Sequence, residues 1–366
     1  MPGTSLRHIF YAILPKPSAG GCQKKQGSPI QRLLVLTNGH NPTFTYYLEE
    51  RLATAPFATH VRNLNDRLSD IDPEGLFVIV CRYVRLRQLF WLYKHRKRLA
   101  GSSLLIDDDI AATVTDSGGT LAYKMYLTGL GLAPLPILNR LLSDIWVSTP
   151  ALAETLGRGR PNSPVVVPPF PPEDTYTPAF TSTAGTVLVM AFHATGSHDS
   201  EHEFLMPIVR DALAKCPNVH FEVTASGSRL KLLWMKAGLP PDRFRLRPHQ
   251  DWRQYLYETK RRHVDIMLVP LVQNKMNDAR SSTKRFDVAR MGAAAIFSRG
   301  HVYEQHANDG EILVDNNRQA WTEAIFNLAT SAELRHRTKN ATQAAVRTYL
   351  ANTPNTLPLG AGKQKF

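Results

Sequence analysis

The sequence predicts an α/β protein of two halves, each a parallel sheet covered by helices, with the sheets facing across a cleft. Three observations predict it. Short apolar runs alternate with longer amphipathic ones along most of the 366 residues, the pattern of parallel strands joined by covering helices. A stretch rich in proline and small polar residues, 159–185, breaks that alternation and reads as a stiff connection. The length suits two domains better than one, because domains cluster near about 100–150 residues.

Taken in order, residues 1–30 read as a flexible arm. The first half, 31–158, carries the strand-like runs RLLVLTN, GLFVIVCR, SSLLIDDD and DIWVST, with helical spacing in TYYLEERLATA and LRQLFWLYKHRKRLA. The second half, 186–330, carries TVLVMAF, VHFEVTAS, FRLRP, VDIMLVPL and AAIFS, separated by helical HEFLMPIVRDALAKC and SRLKLLWMKAGL. A helix is expected over 331–352 and a loose Pro/Gly/Lys-rich tail over 353–366. Open α/β sheets bind ligands beyond the carboxyl ends of their strands, so two such halves place the site in the cleft between them.

The net charge of +13 favours anionic partners: nucleic acid, anionic lipid or phosphorylated small molecules. No helix-turn-helix, RRM or zinc-finger signature accompanies it, so nucleic acid is not the expected partner. No run approaches the roughly 18–20 apolar residues of a membrane span. The early LRHIFYAIL is short for an export signal and lacks a cleavage site. Cys22, Cys81 and Cys216 are odd in number and far apart, which argues against both disulfides and zinc and fits a reducing cytoplasm.

NDARSSTKRFDVARMG, 277–292, concentrates charge near an expected helix start. Ser281 and Ser282 are N-cap candidates, and Gly292 is a natural stop. Arg280, Lys284 and Asp287, spaced by four and three, share one face. Cations at a helix start suit a diphosphate, and an acid one turn deeper suits a ribose diol. A surface helix with charge pairs is the alternative.

Pro270, Leu271, Asn277, Arg280, Ser282, Lys284, Asp287, Gly292, Tyr303, Asp309, Gly310, Leu313 and Val314 follow one another as in a known pattern. The stretch resembles the C-terminal half of retaining glycosyltransferases of the GT-B fold, the large family-four type. VLVMAFHATGSHDSEHEFL resembles that half's first strand, turn and helix, while LLIDDDI and WVSTPALAETL resemble N-terminal segments of its polysaccharide-assembly members. The resemblance spans roughly 33–350 and is stronger in the second half. It departs at Asp287, where glutamate is usual, at Ala279, where a partner acid is usual, and at the turn after the first strand, where His198 stands instead of Arg and Lys.

The resemblance implies a glycosyltransferase of the hexosyltransferase type that binds a UDP- or GDP-sugar in the second half and an acceptor in the first. Arg280 and Lys284 would neutralise the departing diphosphate without a metal or other cofactor. Gly196, His198, Ser282, Asp287 and Tyr303 would complete the donor site. On the acceptor side stand Gly39 and His40 after the first strand, and Asp107, Asp108 and Asp109 at a strand end. Asp108 and His40 join the catalytic candidates; the three acids read equally as a turn or cap. A sugar-nucleotide sensor or scaffold without catalysis is the alternative.

The densest cationic segment, CRYVRLRQLFWLYKHRKRLAGS, is expected to pack Leu86, Leu89, Phe90 and Tyr93 on the first sheet. That leaves Arg87, Lys94, Arg96, Lys97 and Arg98 for solvent or for an anionic membrane, on the inner face of the plasma membrane. A saccharide or lipid-linked acceptor would suit either setting.

Overall fold

A computed structural model describes residues 9–20, 29–116, 118–158, 162–180, 186–194 and 198–359. The first sheet contains β1 (Arg32–Thr37), β2 (Ala58–Asn63), β3 (Leu76–Cys81), β4 (Gly101–Ile106), β5 (Asp144–Val147) and β6 (Val165–Val166). The second contains β7 (Leu188–His193), β8 (Val219–Thr224), β9 (Phe244–Arg247), β10 (Ile266–Val269), β11 (Ala294–Ser298) and β12 (Ile312–Val314). Their orders are β2-β1-β3-β4-β5-β6 and β12-β11-β10-β7-β8-β9. Every pairing is parallel, with Leu34 opposite Val78 and Met267 opposite Ala295.

Successive side chains of a strand point to opposite faces. Leu34, Leu36, Val78 and Val80 therefore fill one core of the first sheet, while Leu33, Val35, Phe77 and Ile79 fill another. The second of these cores also takes Phe286, Ala289 and Val346 from later in the chain, so it is shared between the halves. Strand order reverses between β1 and β3 in one sheet and between β7 and β10 in the other, and ligand crevices open at such points.

Several expectations are corrected here. Residues 9–13 are helical, and Tyr11 and Leu14 pack on the first core, so this part of the arm is docked. In the expected loose tail, Leu357 and Leu359 pack on the first half, and Arg51 Nη2 donates to Pro354 O at 2.8 Å. The helix Ala332–Ala351 makes this return possible: Ala341 sits in the second half, while Val346, Tyr349 and Leu350 reach the first. In the basic helix Leu86–His95, Gln88, Leu89 and Leu92 are buried, whereas Leu86, Phe90 and Tyr93 are exposed. The inward stripe is thus displaced from the expected one: Leu89 and Leu92 are the side chains that enter the first core.

The stretch Leu121–Leu138 is, by length and composition alone, apolar enough to cross a membrane. In this fold it is three short helical pieces that place Leu127, Leu132, Leu135 and Leu138 in the first core.

The long helix Asp199–Lys215 carries a buried histidine with a measurable consequence. His202 is 0% exposed and accepts from Trp234 Nε1 at 2.9 Å. Burial lowers its pKa to about 4. Its neutral form is therefore favoured on folding: the stabilisation is complete above the unfolded value near 6.5 and falls as pH drops towards 4, by roughly 3 kcal/mol. Urea midpoints at pH 7 and pH 5 are expected to differ more in the native protein than in His202→Gln; equal differences would refute this.

Candidate active site

The carboxyl ends of the two sheets enclose a cavity of about 600 Å³, within the range that holds small ligands. From the first half, Asn38 and His40 follow β1, Arg82 follows β3, and Asp107 and Asp108 follow β4. From the second, His193 and Ala194 end β7, Pro270 and Leu271 follow β10, and Arg280, Lys284 and Asp287 follow in turn. The expected cleft, and most of its expected charged residues, are thus brought together.

Arg280 stands at the centre. Its Nη1 donates to His198 Nε2 at 2.9 Å, and its Nε lies 3.4 Å from Asp108 Oδ1 across the cleft. Burial, then Arg280, lower the His198 pKa, so the ring is a neutral acceptor at Nε2. His198 Nδ1 lies 3.5 Å from Glu201, whose carboxyl is held at about 2. Burial opposes that depression, but His198 and the Val272 N–H outweigh it. Glu201 also accepts from Asn277 Nδ2 at 2.8 Å, so the Asn277 of the sequence pattern braces the turn rather than facing the cavity.

Lys284 Nζ donates to His193 O at 3.0 Å and to Asp287 Oδ2 at 3.1 Å, and lies on the cavity wall. The helix it opens, Lys284–Arg290, is shorter than expected: Thr283 occupies the N-cap without a side-chain cap, and the chain turns at Gly292 with φ +60°. Ser281 is engaged elsewhere, its Oγ 2.6 Å from Tyr47 OH of the first half. Ser282 does not line the cavity; Ser281 and Thr283 do.

Asp287 differs most from its expected role. Oδ1 accepts from Arg290 Nη2 at 2.6 Å and from Tyr46 OH at 2.8 Å, while Oδ2 accepts from Lys284. Burial opposes ionisation, yet Lys284 and Arg290 hold the carboxyl well below the usual range. With one fewer methylene than glutamate, it stays inside its own helix's cation pair and ties Tyr46 of the first half to the second. A ribose would meet a carboxylate already bound to three protein donors.

The three acids after β4 separate. Asp107 accepts from Thr43 Oγ1 at 2.7 Å and lies 3.0 Å from Arg82 Nη1. Asp108 faces Arg280 and, at 3.7 Å, Arg82 Nη2. Burial pushes the Asp107 carboxyl up, whereas Arg280 and Arg82 overcome burial to push Asp108 down. Adjacent carboxylates of unlike basicity suit a proton acceptor beside a fixed charge. Asp109 is excluded from the cavity: its Oδ1 caps the helix Ile110–Thr115 and its Oδ2 accepts from Tyr11 OH at 2.6 Å.

His40 lines the cavity with Nε2 3.3 Å from Glu49. Gly39 has φ +64° and shapes the turn without lining the wall, its carbonyl accepting from Thr37 Oγ1 and Asn41 Nδ2. Tyr303 is buried and lines the wall. Gly196 lies outside the described residues. Among those described, no three His, Cys, Asp or Glu side chains group as metal ligands.

Sequence reasoning missed Arg82, Tyr46 and the tyrosines Tyr83, Tyr123 and Tyr126, all on the wall. Arg82 has φ +64°, the only non-glycine with positive φ among the described residues, and such strain clusters at functional sites. Its signal in the sequence is position: it directly follows the central strand β3. Tyr46 rides on a π-helical turn, Thr45–Glu49, whose wider loop is itself frequent at sites.

No protein-family model and no curated protein matches the sequence. Solved structures do. A glycosyltransferase from Rickettsia africae ESF-5 superposes with TM-score 0.55 at 11% identity, over 90% of this chain and 95% of that one. The chain has the GT-B fold. Anabaena Alr3699/HepE, solved with UDP and glucose, shares it at TM-score 0.54 and 12% identity, over 87% of this chain and 95% of that one. A Thermobaculum terrenum O-GlcNAc transferase mutant does so at TM-score 0.53 and 13% identity, over 95% and 70%. Against longer matches, the GtfA/B complex, TarM and the pneumococcal O-GlcNAc transferase GtfA, this GT-B chain spans 57%, 56% and 55% of the neighbour's length.

Proposed function

We propose that this GT-B protein transfers a sugar from a nucleotide diphosphate, UDP- or GDP-linked, to an acceptor hydroxyl, without an essential metal and with retention. The observation that carries the reading is the pair Arg280 and Lys284 converging from the second half on the cavity between the carboxyl ends of both sheets. Placed against a diphosphate, these cations stabilise the charge that develops on the leaving oxygen, which is the electrostatic role a metal fills elsewhere. Anabaena Alr3699/HepE, solved with UDP and glucose on the same fold, supports the donor class.

The acceptor side follows from the first half. A hydroxyl presented between Asp107, Asp108 and His40 meets oriented carboxylates, and the tyrosine wall suits the apolar face of a sugar ring. Arg82 fixes both carboxylates from the strained position after β3.

Thermal melts with UDP, GDP and their sugars test the donor. A stabilising shift with one nucleotide series is expected, and by mass action it grows with concentration. No shift with any of them would refute the reading. A sensor without turnover is favoured by one feature: Ala279, where the family pattern has an acid, is buried in the first half's core and its carbonyl accepts from Thr149 Oγ1 at 2.7 Å. Nucleotide binding without hydrolysis or transfer from any donor would select it.

A further inference from the structure

We propose that the outer face of the helical layer covering one side of the first sheet docks on an anionic lipid bilayer, presenting the acceptor wall of the cavity to a lipid-borne acceptor. The observation is a set of apolar side chains that face away from a core their own helices build. Leu89 and Leu92 anchor the Leu86–His95 helix inward, yet Leu86, Phe90 and Tyr93 form an outward stripe, with Phe90 69% exposed. Leu127 anchors the next helix, yet its Leu121 is 75% exposed and Met125 lies one turn on. Tyr11 and Leu14 anchor residues 9–14, yet Ile9, Phe10 and Ile13 are exposed.

The elements that carry these stripes adjoin one another. Val84 N donates to Leu130 O at 3.2 Å and the rings of Tyr83 and Tyr126 stand 5.2 Å apart, which joins the first two elements. Tyr11 OH on Asp109 and Asn139 Nδ2 on Lys16 O join the third to the same layer. Exposed large apolar side chains repeated on three adjoining elements mark an interaction face.

Charge selects the occupant. No carboxylate occurs before Glu49, between Glu74 and Asp107, or between Asp116 and Asp144, so none of the three elements carries one. Arg85, Lys94 and Lys97 are exposed and, among the described residues, pair with no carboxylate. Apolar wedges among unneutralised cations fit a headgroup region of opposite sign. A second copy fits less well, because a two-fold contact would set this cationic face against itself.

Position gives the consequence. The helix Leu121–Leu127 exposes Leu121 and Met125, while its Tyr123 and Tyr126 line the cavity. One helix therefore separates the docking face from the acceptor wall, and an acceptor arriving from the bilayer has one helix width to cross. The docking itself stands on this surface alone; the nature of the acceptor rests on the proposed transfer reaction.

The test is sedimentation of the full chain with vesicles of phosphatidylcholine alone and with about 30% phosphatidylglycerol. Partitioning at least about tenfold stronger on the anionic vesicles, weakening with salt, is expected. Phe90→Glu with Leu121→Glu is expected to lose about tenfold, Lys94→Glu with Lys97→Glu at least as much, and Met235→Glu in the second half nothing. Each variant's thermal shift with UDP, read without vesicles, reports the donor site separately. Binding to neither vesicle type, binding unchanged by the face variants, or a concentration-dependent dimer that those variants abolish would overturn the proposal.

Discussion

Arg280→Ala is expected to slow sugar transfer by about 100- to 1000-fold, the usual loss when one preorganised charge donor is removed from a developing anion. Arg280 is held on two sides: His198 accepts from Nη1, and Asp108 lies against Nε. Its removal also takes away the strongest of the charges that hold the Asp108 carboxyl down, leaving Arg82 at 3.7 Å and His198 against the effect of burial. Arg280→Lys keeps the charge but not the planar fork and is expected to fall between the two. Initial rates and UDP affinity, measured together, check this. If Arg280→Ala transfers sugar at the native rate, the diphosphate does not lie where the two cations converge.

Asp287→Asn is expected to cost about 3–5 kcal/mol of stability, the range for breaking a buried ion pair from one side. Arg290 is fully buried, and beyond Asp287 its guanidinium meets Thr259 Oγ1, Thr175 O and the Tyr255 ring 5.5 Å away, none of them a carboxylate. The neutral amide leaves that charge uncompensated and loosens the contact with Tyr46 that spans the halves. The folded carboxyl is depressed, so its contribution is complete above the ordinary carboxylate value near pH 4 and is lost as pH falls below it. Urea unfolding at pH 7 reads the loss; a change under about 1 kcal/mol would show the tie to be dispensable.

Much of this arrangement is legible in the sequence, and its limits follow a physical line. The expected strand runs are the interior strands, such as β3, whose six residues are all buried and therefore read as one apolar block, together with the edge strand β9. The other edge strands escape: Ala58–Asn63 because its open side tolerates polar residues, and Val165–Val166 and Ile312–Val314 because they are too short to show a period. Arg280 and Lys284 stand out by charge and spacing. Arg82 does not, because its importance is a backbone conformation and a pair of partners supplied by β4.

The sequence by itself determined the two α/β halves, the cleft between them and the cations at its second wall, because periodicity and charge are local properties of the chain. Only the tertiary structure decided which side chains are free to act. Asp109 became a helix cap, Ser281 a bond to Tyr47, and Asp287 a tie among Arg290, Lys284 and Tyr46. It also turned Phe90 and Leu121 outward. A side chain's role depends on the partners that saturate its hydrogen bonds and the surface that covers it, and those partners arrive from far along the chain, as Tyr46 reaches Asp287 from 241 positions away.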